Sequence, residues 1–357
     1  MVKAGRAPGK KVRARAVQPD TVRAVRVQRP GAVEIVEQPS RALAAGEVRL
    51  QIEAVGICGS DVALMTGRHP YAVYPVTPGH EVGGRLIEAG PGVRMRAGQR
   101  VAIRPLLTCG ACRACREGRV NHCPEVRVLG VHLDGGMAEQ AIFPRQVLFP
   151  VPAGMSAEGA ALAEPTAVAV HVCHRAAVGP GTSVAILGSG VIGLLALQVA
   201  RAWGAEAVLA VDQVPERLEL ARRLGATLAV DNRSEDAAQA GRQLCPDGFD
   251  VVLEMVGVEA TLASAIELAR RGGSIVNVAL PHGKIGLDFE PVYRKELTLR
   301  ATRLYAADFA EAIPLLSDGQ VQVDPLITHR FGLGEAGKAL GLPAERPGEA
   351  IKVMVIP

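Results

Sequence analysis

The chain has 357 residues, enough for two domains with separate cores, and its 48% hydrophobic and 21% charged residues form an ordinary soluble balance. Aromatic residues make up 3%, too few for the stacking platforms that bind single-stranded nucleic acid. The net charge of +4 belongs to one end: residues 1–21 carry Lys3, Arg6, Lys10, Lys11, Arg13 and Arg15 against Asp20, which leaves the remainder at −1.

That first segment is rich in Pro, Gly and charge and lacks apolar periodicity, so residues 1–21 are expected to form a disordered basic tail. Neither a nucleic-acid partner nor a membrane is expected, and with no signal sequence the expected address is the cytoplasm. From Val22 the sequence VRAVRVQRPGAVEIVEQP reads as a strand pair. Alternating runs at 47–58, 81–90 and 99–105, separated by Gly and Pro, continue the β pattern to about residue 150 and predict a compact antiparallel barrel.

Within that region Cys109, Cys112, Cys115 and Cys123 form a C-x2-C-x2-C-x7-C ladder. Four thiolates this close suit one tetrahedral structural Zn2+, with Arg113, Arg116 and Arg119 placed to stabilise its net negative charge. Two disulfides are disfavoured by the missing secretory signal and by the scatter of the other three cysteines, while an iron–sulfur cluster would use the same ligands. Residues 156–176 read as an Ala-rich helix opening at Ser156.

From Ala176 to Ala200 there are 25 residues without a charge, but its glycines favour a buried strand–turn–helix over a membrane span. The rhythm then alternates: strand 183–188, helix 191–204, strand 207–212, helix 216–226, strand 227–231, strand 249–257, helix 261–273 and strand 274–280. This pace implies a doubly wound parallel sheet with helices on both faces. Gly188-Ser189-Gly190-Val191-Ile192-Gly193 fits G-x-G-x-x-G between the first strand and its helix, and Asp212 ends the next strand. The glycines let a pyrophosphate approach the helix N-terminus, and Asp212 would accept from both adenosine ribose hydroxyls and repel a 2′-phosphate, which favours NAD. Arg217, shortly after the acid, is the residue that would instead hold a phosphate. Val278 and Leu280, on the 274–280 strand, complete the expected cofactor set. Beyond about residue 303, DFAEAIPLLSDG reads as a helix and IKVMVIP as a closing strand.

Three further pieces carry chemistry: Cys58 in VGICGSD, His80-Glu81 in TPGHEVGG, and Glu164 in LAEPTAVAVH. Together with the cysteine ladder, the Gly fingerprint and DPLITHRF, they resemble the zinc-dependent medium-chain dehydrogenases of the alcohol dehydrogenase superfamily over residues 22–357. The sorbitol and polyol branch is nearest in flavour, with threonine and butanediol dehydrogenases close by.

The resemblance implies an α/β architecture. A GroES-like β-barrel catalytic domain would span 22–165 and 304–357, with a structural zinc lobe at about 105–125. A Rossmann NAD-binding domain would span 166–303. It implies two Zn2+ per chain. The catalytic one would be held by Cys58, His80, Glu81 and Glu164, the two acids directly or through water. Ser60 would pass on the alcohol proton, and Arg303 in the Arg303-Leu304-Tyr305 element would bind substrate. The implied reaction is reversible oxidation of a secondary alcohol, a polyol, diol, hydroxy acid or sugar or cyclitol type, to a ketone, in a homodimer or homotetramer. Ala63 stands where relatives carry a relay His. Leu64 stands where an aromatic touches sorbitol, which predicts an apolar wall in the pocket. His69 is an alternative relay end. The competing readings are a zinc-free quinone or enone reductase of the same superfamily and a cofactor-binding protein without activity.

Overall fold

The computed structural model of the protein describes residues 21–280, 283–346 and 348–357. The basic tail expected over 1–21 therefore lies outside the described residues but for Thr21. The strand pair expected from Val22 is β1 (Thr21–Arg29) against β2 (Ala32–Pro39), with Val22, Ala24, Val25 and Val27 buried. Next come β3 (Glu47–Ile57), α1 (Gly59–Met65), β4 (Glu81–Ala89) and β5 (Arg100–Ile103). A lobe carries β6 (Leu106–Leu107), the short α2 (Arg113–Arg116) and β7 (Arg127–Val128); β8 (Gln140–Pro144) and β9 (Leu148–Pro150) return to the main sheet.

Residues 156–176 form two helices where one was expected. Ser156 caps α3 (Ala157–Ala161), its Oγ accepting from Gly159 N at 2.9 Å, and α4 (Ala163–Ala176) starts afresh after Leu162. Pro165 supplies the reason: it has no N–H to donate back to residue 161, so it is accommodated only in a new first turn.

The alternating half follows in order: β10 (Ser183–Leu187), α5 (Val191–Ala202), β11 (Ala207–Asp212), α6 (Pro215–Arg223), β12 (Leu228–Asp231), α7 (Ala237–Leu244), β13 (Phe249–Glu254), α8 (Glu259–Leu268), β14 (Ala269–Asn277), α9 (Glu290–Lys295) and β15 (Thr298–Ala301). Its six strands pair in parallel in the order β12-β11-β10-β13-β14-β15. Alternation along β10 explains the long uncharged run. Val184 and Ile186 pack with α4, α5 and α6, while Ala185 and Leu187 pack with α7 and α8 on the opposite face. Residues 269–273, expected to end a helix, instead begin β14, held extended by Arg270 Nε on Asp250 Oδ1 at 2.6 Å.

The chain then returns through α10 (Phe309–Ser317), β16 (Ile327–Gly332), α11 (Ala336–Glu345) and β17 (Lys352–Ile356). β17 inserts between β16 and β3, giving the order β16-β17-β3-β4-β5-β9, with β8 also on β3. That insertion brings the last strand beside the end of β3 and the start of β4, where the site lies. No helix among the described residues is long and apolar enough to cross a membrane.

Candidate active site

Cys58 follows β3 and caps α1; its own N–H is taken by Asp61 Oδ2 at 2.9 Å. The other Asp61 oxygen accepts Gly79 N–H at 3.1 Å and lies 3.6 Å from His80 Nδ1. One buried carboxylate thus fixes the Cys58 turn, the His80 backbone and the His80 ring. With Nδ1 facing Asp61, the ring offers Nε2 to a metal, an orientation typical of carboxylate-supported histidine ligands. Burial opposes a charge on His80, but Asp61 outweighs it and holds the imidazole well above its ordinary pKa. Asp61 itself is held below its ordinary range despite burial, chiefly by His80.

Glu81 opens β4, buried at 1% exposure, and its two oxygens accept from Lys352 Nζ at 2.6 and 2.8 Å. Lys352 also donates to Ile57 O at 3.0 Å. Gly56 makes the pair fit, because a Cβ there would run into the Glu81 carboxylate. Burial disfavours the Lys352 charge, yet Glu81 outweighs it and keeps the lysine above its ordinary pKa.

Cys58, His80 and Glu81 each bring a ligand atom within 4.8 Å of the others. Sulfur, imidazole and carboxylate around one point suit Zn2+ with a position left open. Glu164 falls outside this trio. It is 5% exposed beside the Tyr305 hydroxyl, and burial pushes its pKa up to about 7, with the Glu81 charge adding and His80 opposing. Ser60 Oγ lies 3.5 Å from His80 Nε2, at the edge of the trio.

His69 is set up as a donor. Its Nδ1 accepts Tyr71 N–H at 3.2 Å, which leaves the proton of the neutral ring on Nε2. It is therefore unsuited to end a relay. The apolar wall expected from Leu64 is overturned: Leu64 is fully buried and packs with Val27 and Val76 beneath the first strand pair. Arg303 is exposed, and its carbonyl accepts from Asn121 Nδ2 at 3.1 Å.

A cavity of about 810 Å3 runs from this trio between the two sheets. Ile57, Cys58, Glu81 and Lys352 form one wall; Gly188, Gly190, Val191, Ile192, Gly193, Asp212 and Arg217 form the other. Asp212 accepts from Ser189, Gln213 and Val214 N–H at 2.6, 2.8 and 2.9 Å, and Arg217 Nη1 stands 3.8 Å away. Val278 and Leu280, expected here, are not among the lining residues; Val278 N–H pairs with Glu254 O at 2.8 Å and Leu280 is 68% exposed. Glu254 ends β13. Fully buried, it accepts from Val256 and Gly257 N–H, Thr261 Oγ1 and Asn277 Nδ2, and so holds the loop that closes the cavity.

The four ladder cysteines also bring their sulfurs within 4.8 Å of one another. Their support comes from the backbone: Cys112 N–H points at Cys109 Sγ (3.3 Å), and Cys115 N–H at Cys112 Sγ (3.5 Å). The N–H groups of Ala111 and Cys112 draw the Cys109 thiol down to about 7. The arginines expected to do this are engaged otherwise, Arg113 and Arg119 with Glu117 and Arg116 with the Ala111 carbonyl.

Two residues of the site carry no motif of their own, Asp61 and Lys352. The one available signal for Lys352 was a single cation inside the otherwise apolar strand IKVMVIP.

Comparison with known proteins places these features. Residues 44–153 match the alcohol dehydrogenase GroES-like domain and residues 191–318 the zinc-binding dehydrogenase domain. Sorbitol dehydrogenase of Bacillus subtilis is 36% identical over 318 residues, 87% of this chain and 90% of that one. L-idonate 5-dehydrogenase of Vitis vinifera is 34% identical over 320 residues, 86% and 87% of the two chains. A zinc-binding dehydrogenase from Sinorhizobium meliloti 1021, solved bound to NADP, superimposes with a TM-score of 0.90 at 35% identity, covering 95% of this chain and all of the other.

Proposed function

The chain belongs to the zinc-dependent medium-chain alcohol dehydrogenases, oxidoreductases that act on CH–OH groups with zinc and a nicotinamide cofactor, and from that premise we propose that it oxidises a secondary carbinol of a polyol or sugar acid to the ketone, reversibly, with NAD. The observation that carries the reading is the Cys58, His80 and Glu81 trio at the end of the cofactor cavity.

Cys58, His80 and Glu81 would hold the catalytic zinc, with Glu164 close enough to respond to His80 and Glu81. Bound there, zinc supplies Lewis acidity that lowers the pKa of an alcohol, and the nicotinamide accepts the hydride. Asp61 orients His80 and holds the Cys58 turn. Lys352 neutralises Glu81 and keeps the buried site from accumulating negative charge. The Ser60 hydroxyl, beside His80, takes the substrate proton and passes it to solvent, because Ala63 offers no base and His69 is a donor. Asp212 would receive the adenosine ribose and select NAD, although the Sinorhizobium meliloti relative was solved with NADP. The cysteine ladder would hold a second, structural zinc.

The chain would divide as expected, a GroES-like part over 22–165 and 304–357 and a Rossmann part over 166–303. A homo-oligomer is supported by the open edge of β15 and the exposed Phe289 and Tyr293 near it.

The test is NADH formation at 340 nm with polyols, diols, hexonates and cyclitols, with and without a zinc chelator. Chelator-sensitive turnover of at least one secondary alcohol is expected. Chelator-insensitive reduction of quinones or enones would overturn the reading.

A further inference from the structure

The chain passes between its two sheets twice, outward from β9 to β10 through α4 and back from β15 to β16 through α10. The cavity has one wall on each sheet, so its width follows how these two crossings are held. They meet at Asp308, just before α10, which accepts from His171 and His174 of α4 at 3.0 and 2.8 Å. His174 also lies against Trp203, the single tryptophan of the chain, with ring centroids 4.7 Å apart.

A side chain of the cysteine lobe joins both crossings. Asn121 is 3% exposed and sits in one helical turn, Val120–His122, that ends on the ladder residue Cys123. Its Nδ2 donates to the Arg303 carbonyl at 3.1 Å, on the returning crossing. The same nitrogen stands 3.4 Å from His171 Nε2, on the outgoing one. A carbonyl only accepts, so the amide must present its NH2 group here, and His171 Nε2 takes the second hydrogen. The ring proton then sits on Nδ1 and is donated to Asp308 Oδ2. Asn121, His171 and Asp308 thus form one directed chain of hydrogen bonds from the lobe through α4 to α10.

The segment held in this way does not hold itself. Leu304 has φ 54°, a left-handed conformation that a residue with a side chain keeps when its surroundings impose it. Asn121 grips the peptide just before Leu304, and Asp308 grips the Ala306 N–H just after it at 2.7 Å. The place of Asn121 depends in turn on the ladder. Cys123 N–H closes its turn on Val120 O at 3.1 Å, and Cys109 N–H points at Cys123 Sγ at 3.5 Å. A zinc ion joining the four sulfurs would fix Cys123 and so the turn that carries Asn121.

We propose that Asn121 is a positioning residue through which the zinc lobe seats the two crossings and so sets the affinity of the cavity for its nicotinamide cofactor. This rests on the ladder zinc and the cofactor site of the reading above, whichever alcohol is oxidised.

The test uses Asn121→Leu in the zinc-loaded full chain, a change that keeps the volume and removes both donors. Zinc content should stay at the wild-type level. Calorimetric titration with NADH should give a Kd about 10-fold higher, the worth of about one hydrogen bond. KM for NAD should rise in step with kcat little changed. Trp203 emission should shift as His174 loosens, which mere loss of packing at the lobe would not produce. Asn121→Ser reads the same changes should the Leu variant fail to fold. Cys112→Ser should lose the ladder zinc and weaken NADH similarly, and adding Asn121→Leu to it should weaken NADH no further. Additive losses would overturn the proposal, as would a lowered melting temperature with NADH affinity and Trp203 emission unchanged. Both results leave the structural-zinc reading standing. If Cys112→Ser does not lower the zinc content, that reading and the proposal fall together.

Discussion

Two carboxylates decide what this chain can do, the half-buried Asp212 and the buried Glu81, and each is committed before any ligand arrives. Asp212 already accepts three backbone N–H groups and stands 3.8 Å from Arg217, so its charge is both held and partly screened. Replacing it by Ser removes the repulsion toward a 2′-phosphate and exposes Arg217 to it. The ratio of kcat/KM for NAD over NADP should fall about 100-fold, roughly the worth of a hydrogen bond to a charged group plus a removed like charge. Steady-state kinetics with both cofactors checks this, and an unchanged ratio would mean that Asp212 serves only the Ser189–Val214 turn. Glu81 is committed to Lys352. Lys352→Met strands a buried anion at a cost of about 3–5 kcal/mol. If Glu81 ligates zinc, the ion takes over part of the compensation, so the penalty should be larger after chelation than before. Urea unfolding of both proteins in both states measures the difference; equal penalties would place Glu81 off the metal.

At the scale of elements, the return from the parallel sheet is pinned by one side chain. Asp308, 7% exposed just before α10, accepts from His171 Nδ1 at 3.0 Å, His174 Nδ1 at 2.8 Å and Ala306 N–H at 2.7 Å. Burial alone would raise its pKa, but the two histidines and the Ala306 N–H reverse that and lower it. A carboxylate depressed in the folded state contributes stability that is complete above its unfolded pKa and lost as pH falls through the folded one. Asp308→Asn should therefore cost about 2–3 kcal/mol at neutral pH, and the gap to wild type should begin to shrink below about pH 4 and close only as pH falls through the lowered folded value. Denaturant melts from pH 8 down to about pH 2 read it out; a gap independent of pH over that range would make Asp308 a packing residue only. The strands around this latch were legible in the sequence because apolar alternation and Gly breaks are local signals. The latch was not, since His171 and Asp308 are 137 residues apart. Nor was α7 noticed, although Asp236 caps it through the N–H groups of Ala238 and Gln239. The same distinction holds at the site. Cys58, His80 and the ladder announce themselves by spacing, whereas Lys352 meets Glu81 only because β17 inserts beside β3.

For the molecule as a whole, the parallel sheet ends on β15, whose four residues Thr298 to Ala301 are all exposed. An open edge of a sheet is a template for another chain unless it is blunted. Little blunts this one. Leu299 is 39% exposed on it, with Phe289 at 62% and Tyr293 at 81% on the preceding segment. Arg300 turns back to the Arg175 carbonyl at 2.8 Å and so leaves the edge. A second copy related by a two-fold axis would set β15 antiparallel to itself and extend the six strands to a continuous sheet across both chains, burying the aromatic patch in the same step. Light scattering should therefore give at least twice the 37.3 kDa chain mass. The double change Leu299→Asp with Tyr293→Lys places like charges opposite themselves across the axis and should shift the protein to monomer at micromolar concentration. Because the trio and the cavity are built within one chain, the monomer should keep its zinc and bind NAD. A monomeric wild type would assign the exposed edge to some other partner, and a variant that stays dimeric would place the contact elsewhere on the surface.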